Sequence, residues 1–131
     1  IEIFWKKDDS QVTRVSSALD LKLPEAAFKM TLKIDGRKII MTEKSPTKII
    51  GRGEECDLQI LAPMASRIHA EIQFSDGNFR LEDQSTNGTW LELGGNSLRL
   101  HRDKTVLLGS GKISLGSADF SNESMIITFE I

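Results

Sequence analysis

From residue 28 onward, apolar and polar positions alternate in short runs, and most runs are closed by a turn signal. Phe28, Met30, Leu32 and Ile34 interleave with Lys29, Thr31, Lys33 and Asp35. A period of two places one face of such a run in a core and the other in water, the pattern of a half-buried strand. Asp35-Gly36 is a hairpin signal, and Lys38-Ile39-Ile40-Met41 reads as the returning strand. Further short strands are read at 47–51, 57–61, 69–74 and 79–84, with Asp76-Gly77-Asn78 turning the chain between the last two. Asn87-Gly88 then predicts a two-residue type I′ hairpin joining 79–84 to a strand at 89–93, because Asn and Gly best tolerate positive φ. Its tip would present Ser85, Thr86 and the Asn87 amide. Gly94-Gly95-Asn96 is another turn, short strands at 98–101 and 105–108 flank Arg102-Asp103-Lys104, and Met125, Ile127, Phe129 and Ile131 alternate in a closing strand. No segment of about ten or more residues carries a helical apolar stripe. The pattern predicts an all-β sandwich or barrel, with function on loops at one end, held still by the sheets beneath.

Residues 1–24 lack this regularity and read as a linker or the tail of a preceding domain, leaving 25–131 as the domain proper. Leu19, Leu21 and Leu23 alternate there, so part of this stretch is expected to dock on the domain. The chain opens without Met and without the apolar region of a signal peptide, so it reads as a fragment of a longer protein. Its 131 residues suffice for a domain with an unstapled core. A net charge of −2, no long basic run and no Tyr leave nucleic acid without an electrostatic footprint or a stacking platform. The single Cys56 excludes an internal disulfide framework and fits a reducing, cytoplasmic compartment. No apolar run approaches the ~20 residues of a membrane span.

Catalytic and metal chemistry find little support. Ser66, His69 and Asp83 are the residue types of a hydrolase triad, but Ser66 and His69 share one tight loop and no Gly-x-Ser-x-Gly occurs. Cys56, His69 and His101 show no close ligand pairs, and Gly51-Arg52-Gly53 is followed by no nucleotide-binding fingerprint. The chain is therefore expected to be no enzyme and to need no metal or cofactor. Anion binding suits the residue types better. Arg52 offers a planar fork that matches phosphate in a bidentate way, while Ser66 and Thr86 bring hydroxyls. A phosphate ester carries about −1.5 to −2 charge and three acceptor oxygens, which such a set can satisfy without a wide basic field. The bland readings are a surface Arg52 paired with Glu54 or Glu55, an ordinary loop at Ser66-Arg67, and a plain turn at Asn87-Gly88.

Gly51-Arg52, then Ser66-Arg67-x-His69, then Asp83-x-Ser85-x-Asn87-Gly88-Thr89, in this order and on strand edges, resemble the motif positions of the forkhead-associated (FHA) domain. The resemblance covers roughly residues 25–131. It implies an eleven-stranded, mostly antiparallel β-sandwich of the FHA/SMAD-like type that recognises phosphothreonine in partner proteins. Carried over by position, Arg52 and Ser66 resemble the phosphate ligands, Thr86 an additional phosphate or backbone contact, and Asn87 the side chain that fixes the peptide main chain. Arg67 follows the serine where the family contacts phosphate or neighbouring peptide residues. Gly51, His69, Asp83, Gly88 and Thr89 match positions that shape the loops. The residues themselves say the same: His69 can bond backbone groups, Asp83 can accept N–H groups, and Gly88 permits the turn. Glu55-Cys56-Asp57-Leu58 and residues 107–116 are similar to FHA modules attached to bacterial class III adenylate/guanylate cyclases.

Two functions are then weighed. One is a binding module for a phosphothreonine-containing protein, which includes another copy of this chain phosphorylated at Thr13 or Thr47. The other is a structural or oligomerising sandwich that positions an attached enzyme. Loops 94–97 and 109–111 are expected at the rim of the site.

Overall fold

The computed structural model describes residues 27–131. The linker reading of 1–24, the docking of Leu19, Leu21 and Leu23, and the domain start at 25 lie outside the described residues. Eleven strands run in chain order: β1 (Lys29–Ile34), β2 (Arg37–Thr42), β3 (Thr47–Gly51), β4 (Leu58–Gln59), β5 (Ala70–Ser75), β6 (Asn78–Asp83), β7 (Thr89–Leu93), β8 (Asn96–Leu100), β9 (Lys104–Leu107), β10 (Ser110–Leu115) and β11 (Ile126–Glu130). They form a six-stranded sheet in the order β2-β1-β11-β10-β7-β8 and a five-stranded sheet in the order β4-β3-β5-β6-β9. All pairs are antiparallel except β3 with β4. The only helical turn among the described residues is a single 3-10 turn, Glu123–Met125.

Alternation explains the two layers. Met30, Leu32 and Ile34 of β1, Ile72 of β5, Phe79 and Leu81 of β6, Leu91 of β7 and Ile127 and Phe129 of β11 are all buried in one core between the sheets. Each large apolar side chain removed from water there contributes roughly 1.5–3 kcal/mol. Phe28 is an exception to the predicted inward set: it is 43% exposed, and its ring lies against Phe74 at a centroid distance of 5.0 Å.

The Asp-Gly turns behave as predicted. Asp35 and Gly36 have φ of 47° and 79°, Asp76 and Gly77 have 53° and 79°, and each pair closes a hairpin. Asn87-Gly88 does not. β6 pairs with β5 and β9 in one sheet, whereas β7 pairs with β10 and β8 in the other. Residues 84–88 therefore cross between sheets, and only Gly88 has positive φ, at 98°. Likewise β8 and β9 do not form a hairpin about Arg102-Asp103, because they lie in different sheets. The crossover has no ladder of its own, so tertiary hydrogen bonds must hold it.

Register also decides which loops share an end. Leu115 pairs with Thr89, while Gly111 pairs with Leu93. The Gly94-Gly95 turn and the 109–111 segment thus sit together at the end of β7 and β10 away from Gly88. They do not rim the loops that carry Arg52, Ser66 and Thr86, contrary to the expectation from sequence.

Candidate functional site

Three loops meet at the end of the sandwich where β3, β6 and β7 turn. Gly51 closes β3 and Arg52 follows; Ser66 and Arg67 precede β5; Thr86 and Asn87 sit on the crossover. Their backbones are tied together. Arg52 N–H donates to Ser66 O at 2.9 Å, Gly53 N–H to Arg67 O at 3.0 Å, and His69 N–H to Ile50 O at 2.9 Å. Thr86 N–H donates to Ser66 Oγ at 3.2 Å, which brings the third loop onto the second. Gly51 makes this approach possible, since a Cβ there would stand 2.3 Å from Arg67 O. Gly51→Ala is expected to destabilise the domain by about 1–3 kcal/mol through overpacking against backbone, measured as a lowered urea midpoint at unchanged m-value.

Buried polar groups lock the loops from beneath. His69 is fully buried; its Nδ1 accepts from Ser66 N–H at 2.9 Å, so Nε2 carries the proton and donates to Gly88 O at 2.9 Å. Gly88 O also accepts from Gly116 N–H at 2.9 Å. Asp83 accepts from Ser85 Oγ and Thr89 Oγ1, each at 2.6 Å, from Arg102 N–H at 2.8 Å and from Ser85 N–H at 3.3 Å. Ser85 Oγ in turn accepts from Gly88 N–H at 2.7 Å. Ser85 is therefore buried within the support, not displayed at a tip.

These environments set the protonation states. Burial pushes the His69 imidazole below its ordinary value, against the opposing pull of its bond to Gly88 O and of the Asp83 charge. For Asp83, burial raises the carboxyl pKa, but the bonds from Ser85, Thr89 and Arg102 outweigh it and hold the group below its ordinary value. A lowered folded-state value means that the unfolded chain takes up protons first as pH falls. The His69 contribution is intact above its unfolded value near 6.5 and erodes below it; the Asp83 contribution erodes only below about 3.8. Stability is thus expected to fall on acidification from pH 7 to 5, with His69 titrating below 6.5 by NMR. A His69 midpoint at or above 6.5 would contradict this.

What remains uncommitted points outward. Arg52 is exposed, and its guanidinium has no ion pair among the described residues. The bland alternative, a pairing with Glu54 or Glu55, is not formed: Glu55 is paired with Arg67 Nε at 2.8 Å. Ser66 Oγ accepts from Thr86 N–H and keeps its own proton to donate. Thr86 is exposed, and Asn87 Nδ2 donates to Met64 O at 3.1 Å, leaving its carboxamide oxygen free to accept. Asp83 and His69 stand near each other, at 3.8 Å, but His69 Nδ1 faces the Ser66 amide and not its hydroxyl, so no charge-relay arrangement forms. Among the described residues no group of three metal-ligating side chains occurs, and no helix is long and apolar enough to cross a membrane.

Sequence reading missed Met64, Gly116, Arg99, His101 and Arg102. Gly116 lies against Met64 O, which a Cβ there would approach to 2.2 Å. The last three are polar residues at an exposed strand end, where nothing in the pattern separates a structural contact from a solvated face.

Comparison with known proteins agrees with this fold. The family model of the FHA domain matches residues 48–116, more than half of the chain and all of the site loops. No curated protein matches the sequence. Among solved structures, FHA-1 of Mycobacterium tuberculosis Rv1747 is similar at 20% identity and a TM-score of 0.61, over 78% of this chain and 94% of that one. A structure from an analysis of phosphothreonine-dependent FHA domain interactions is similar at 27% identity and a TM-score of 0.59, over 79% and 97%. The MEK1 FHA domain in complex with a HOP1 phosphothreonine peptide is similar at 26% identity and a TM-score of 0.59, over 78% and 95%.

Proposed function

The chain belongs to the FHA domain family, and from that premise we propose that it is a phosphothreonine-peptide binding module serving phosphorylation-dependent protein–protein interaction. Family members are non-catalytic phosphopeptide-binding modules. One observation carries the proposal: Arg52, Ser66 and Thr86 are tied to one another by Arg52 N–Ser66 O and Thr86 N–Ser66 Oγ bonds, while their side-chain donors stay uncommitted. In this reading Arg52 grips the phosphate with two N–H groups and Ser66 donates its hydroxyl to a third oxygen. Thr86 adds a hydroxyl at the rim. Asn87 uses its free carboxamide oxygen and remaining N–H to hold a peptide group of the ligand. Arg67, held by Glu55 through Nε only, keeps its terminal nitrogens for the phosphate or an adjacent acidic residue. Gly51, His69, Asp83, Gly88 and Thr89 set the loops and do not contact ligand.

The domain spans 25–131 in this proposal and acts in the cytoplasm as a regulatory unit of a larger signalling protein such as a nucleotide cyclase. Its partner is a phosphothreonine protein, which includes a second copy of the same chain. Titration with a phosphothreonine peptide library and its unphosphorylated copies tests the reading. Binding that requires the phosphate supports it; equal affinity for both sets ends it.

A further inference from the structure

Three successive carbonyls of the crossover are each held by a side chain from the β8–β9 segment. Arg102 Nε donates to Ser85 O at 2.8 Å, His101 Nε2 to Thr86 O at 3.2 Å, and Arg99 Nη2 to Asn87 O at 3.2 Å. A carbonyl can only accept, so His101 Nε2 carries its proton here. Two of the donors are held elsewhere as well, and the third directly follows a core residue. Arg99 lies over the Trp90 ring, its Cζ 5.1 Å from the centroid. Leu100, between Arg99 and His101, is buried in the core and pairs with Thr89. Arg102 takes a left-handed backbone, φ 59°, that sends its N–H to Asp83 Oδ2 at 2.8 Å. Unlike Asp35 and Asp76 in their hairpin turns, an arginine has no intrinsic ease in that region, and it is held there by its surroundings.

We propose that Arg99, His101 and Arg102 are positioning residues of the phosphopeptide site: they clamp the peptide planes of 85–87 and so aim Thr86 and Asn87. The inference rests on the phosphopeptide reading above. The 85–86 and 87–88 peptide planes are also held by Thr86 N–H on Ser66 Oγ and Gly88 N–H on Ser85 Oγ, but among the described residues the 86–87 plane is held by His101 alone. Without the clamp the first two loosen and the third is free to rotate, and a loop that must be ordered on binding loses affinity. The clamp also puts two guanidinium groups behind a loop that would face a dianion, which adds to attraction without contact.

The test compares wild type with the triple variant Arg99→Met, His101→Leu, Arg102→Met, whose Met side chains keep the apolar stems. In the free protein, exchange of the bonded amides of Thr86 and Gly88, followed by NMR, is expected to accelerate by about tenfold or more, with β5 and β6 amides unchanged. Phosphothreonine-peptide affinity is expected to fall by about tenfold or more. A second variant, Arg99→Lys, His101→Gln, Arg102→Lys, restores a donor at each position and should recover most of both effects. Unchanged exchange at Thr86 and Gly88, or affinity within about twofold of wild type, overturns the proposal. If wild type itself ignores the phosphate, the phosphopeptide reading falls, and the exchange data alone decide whether the clamp exists.

Discussion

Arg52→Ala is expected to weaken phosphothreonine-peptide binding by roughly tenfold to more than a hundredfold while leaving the domain folded. A hydrogen bond to a charged group contributes about 1.5–3 kcal/mol, and each 1.4 kcal/mol is a factor of ten in Kd. Arg52 is exposed and its side chain supports nothing else among the described residues, so the loss should fall on the ligand alone. Its backbone contacts, N–H to Ser66 O and O from Gln59 Nε2, survive the substitution. Arg52→Lys keeps a charge but loses the fork, and should recover only part of the affinity. Calorimetric titration with one phosphopeptide, alongside thermal unfolding, reads both quantities. An Arg52→Ala variant that binds like wild type would remove phosphate recognition from this loop.

Asp83→Ala is expected to show the opposite split, with the fold suffering first. Removing the carboxylate leaves the buried Ser85 and Thr89 hydroxyl protons without an acceptor and unties the part-buried Arg102 amide. An unsatisfied buried polar group costs about 1–3 kcal/mol, so a loss of roughly 3–5 kcal/mol is expected. That is a large part of the 5–15 kcal/mol of a typical domain. Asp83→Asn keeps the shape and one acceptor; the two hydroxyls can turn to accept from its amide, but the Arg102 N–H has no such freedom. It should lose about 1–3 kcal/mol and remain folded. Urea unfolding of both variants at pH 7 checks this. A loss under about 1 kcal/mol for Asp83→Ala would mean that the crossover is held by something other than this carboxylate.

The two variants separate features legible in the sequence from features that only the fold reveals. Strand existence was legible because alternation in 28–34, 69–74 and 79–83 is a direct imprint of a two-sided sheet. Which sheet a strand joins was not. Asn87-Gly88 carries a strong hairpin signal, yet the pairing partners of β6 and β7 are remote in sequence, and those ladders outweigh a local turn preference. His69 and Asp83 were legible as supports because buried polar side chains beside loops must find partners. Ser85 was misplaced because a short polar residue in a turn reads as exposed; the three-dimensional arrangement makes it a bridge between Asp83 and the Gly88 amide. The pairing of Glu55 with Arg67 instead of Arg52 turns on loop geometry that no spacing rule contains.

Because residues 84–88 span from one sheet to the other, their number is set by the distance they bridge. Adding or deleting a residue there would drag on the Asp83 and His69 bonds at once, whereas the hairpins at Asp35-Gly36 and Asp76-Gly77 can lengthen into solvent. A lineage retuning this domain for new ligands is therefore steered toward exchanging side chains at fixed length in the crossover. Insertions and fusions are left to the hairpin tips.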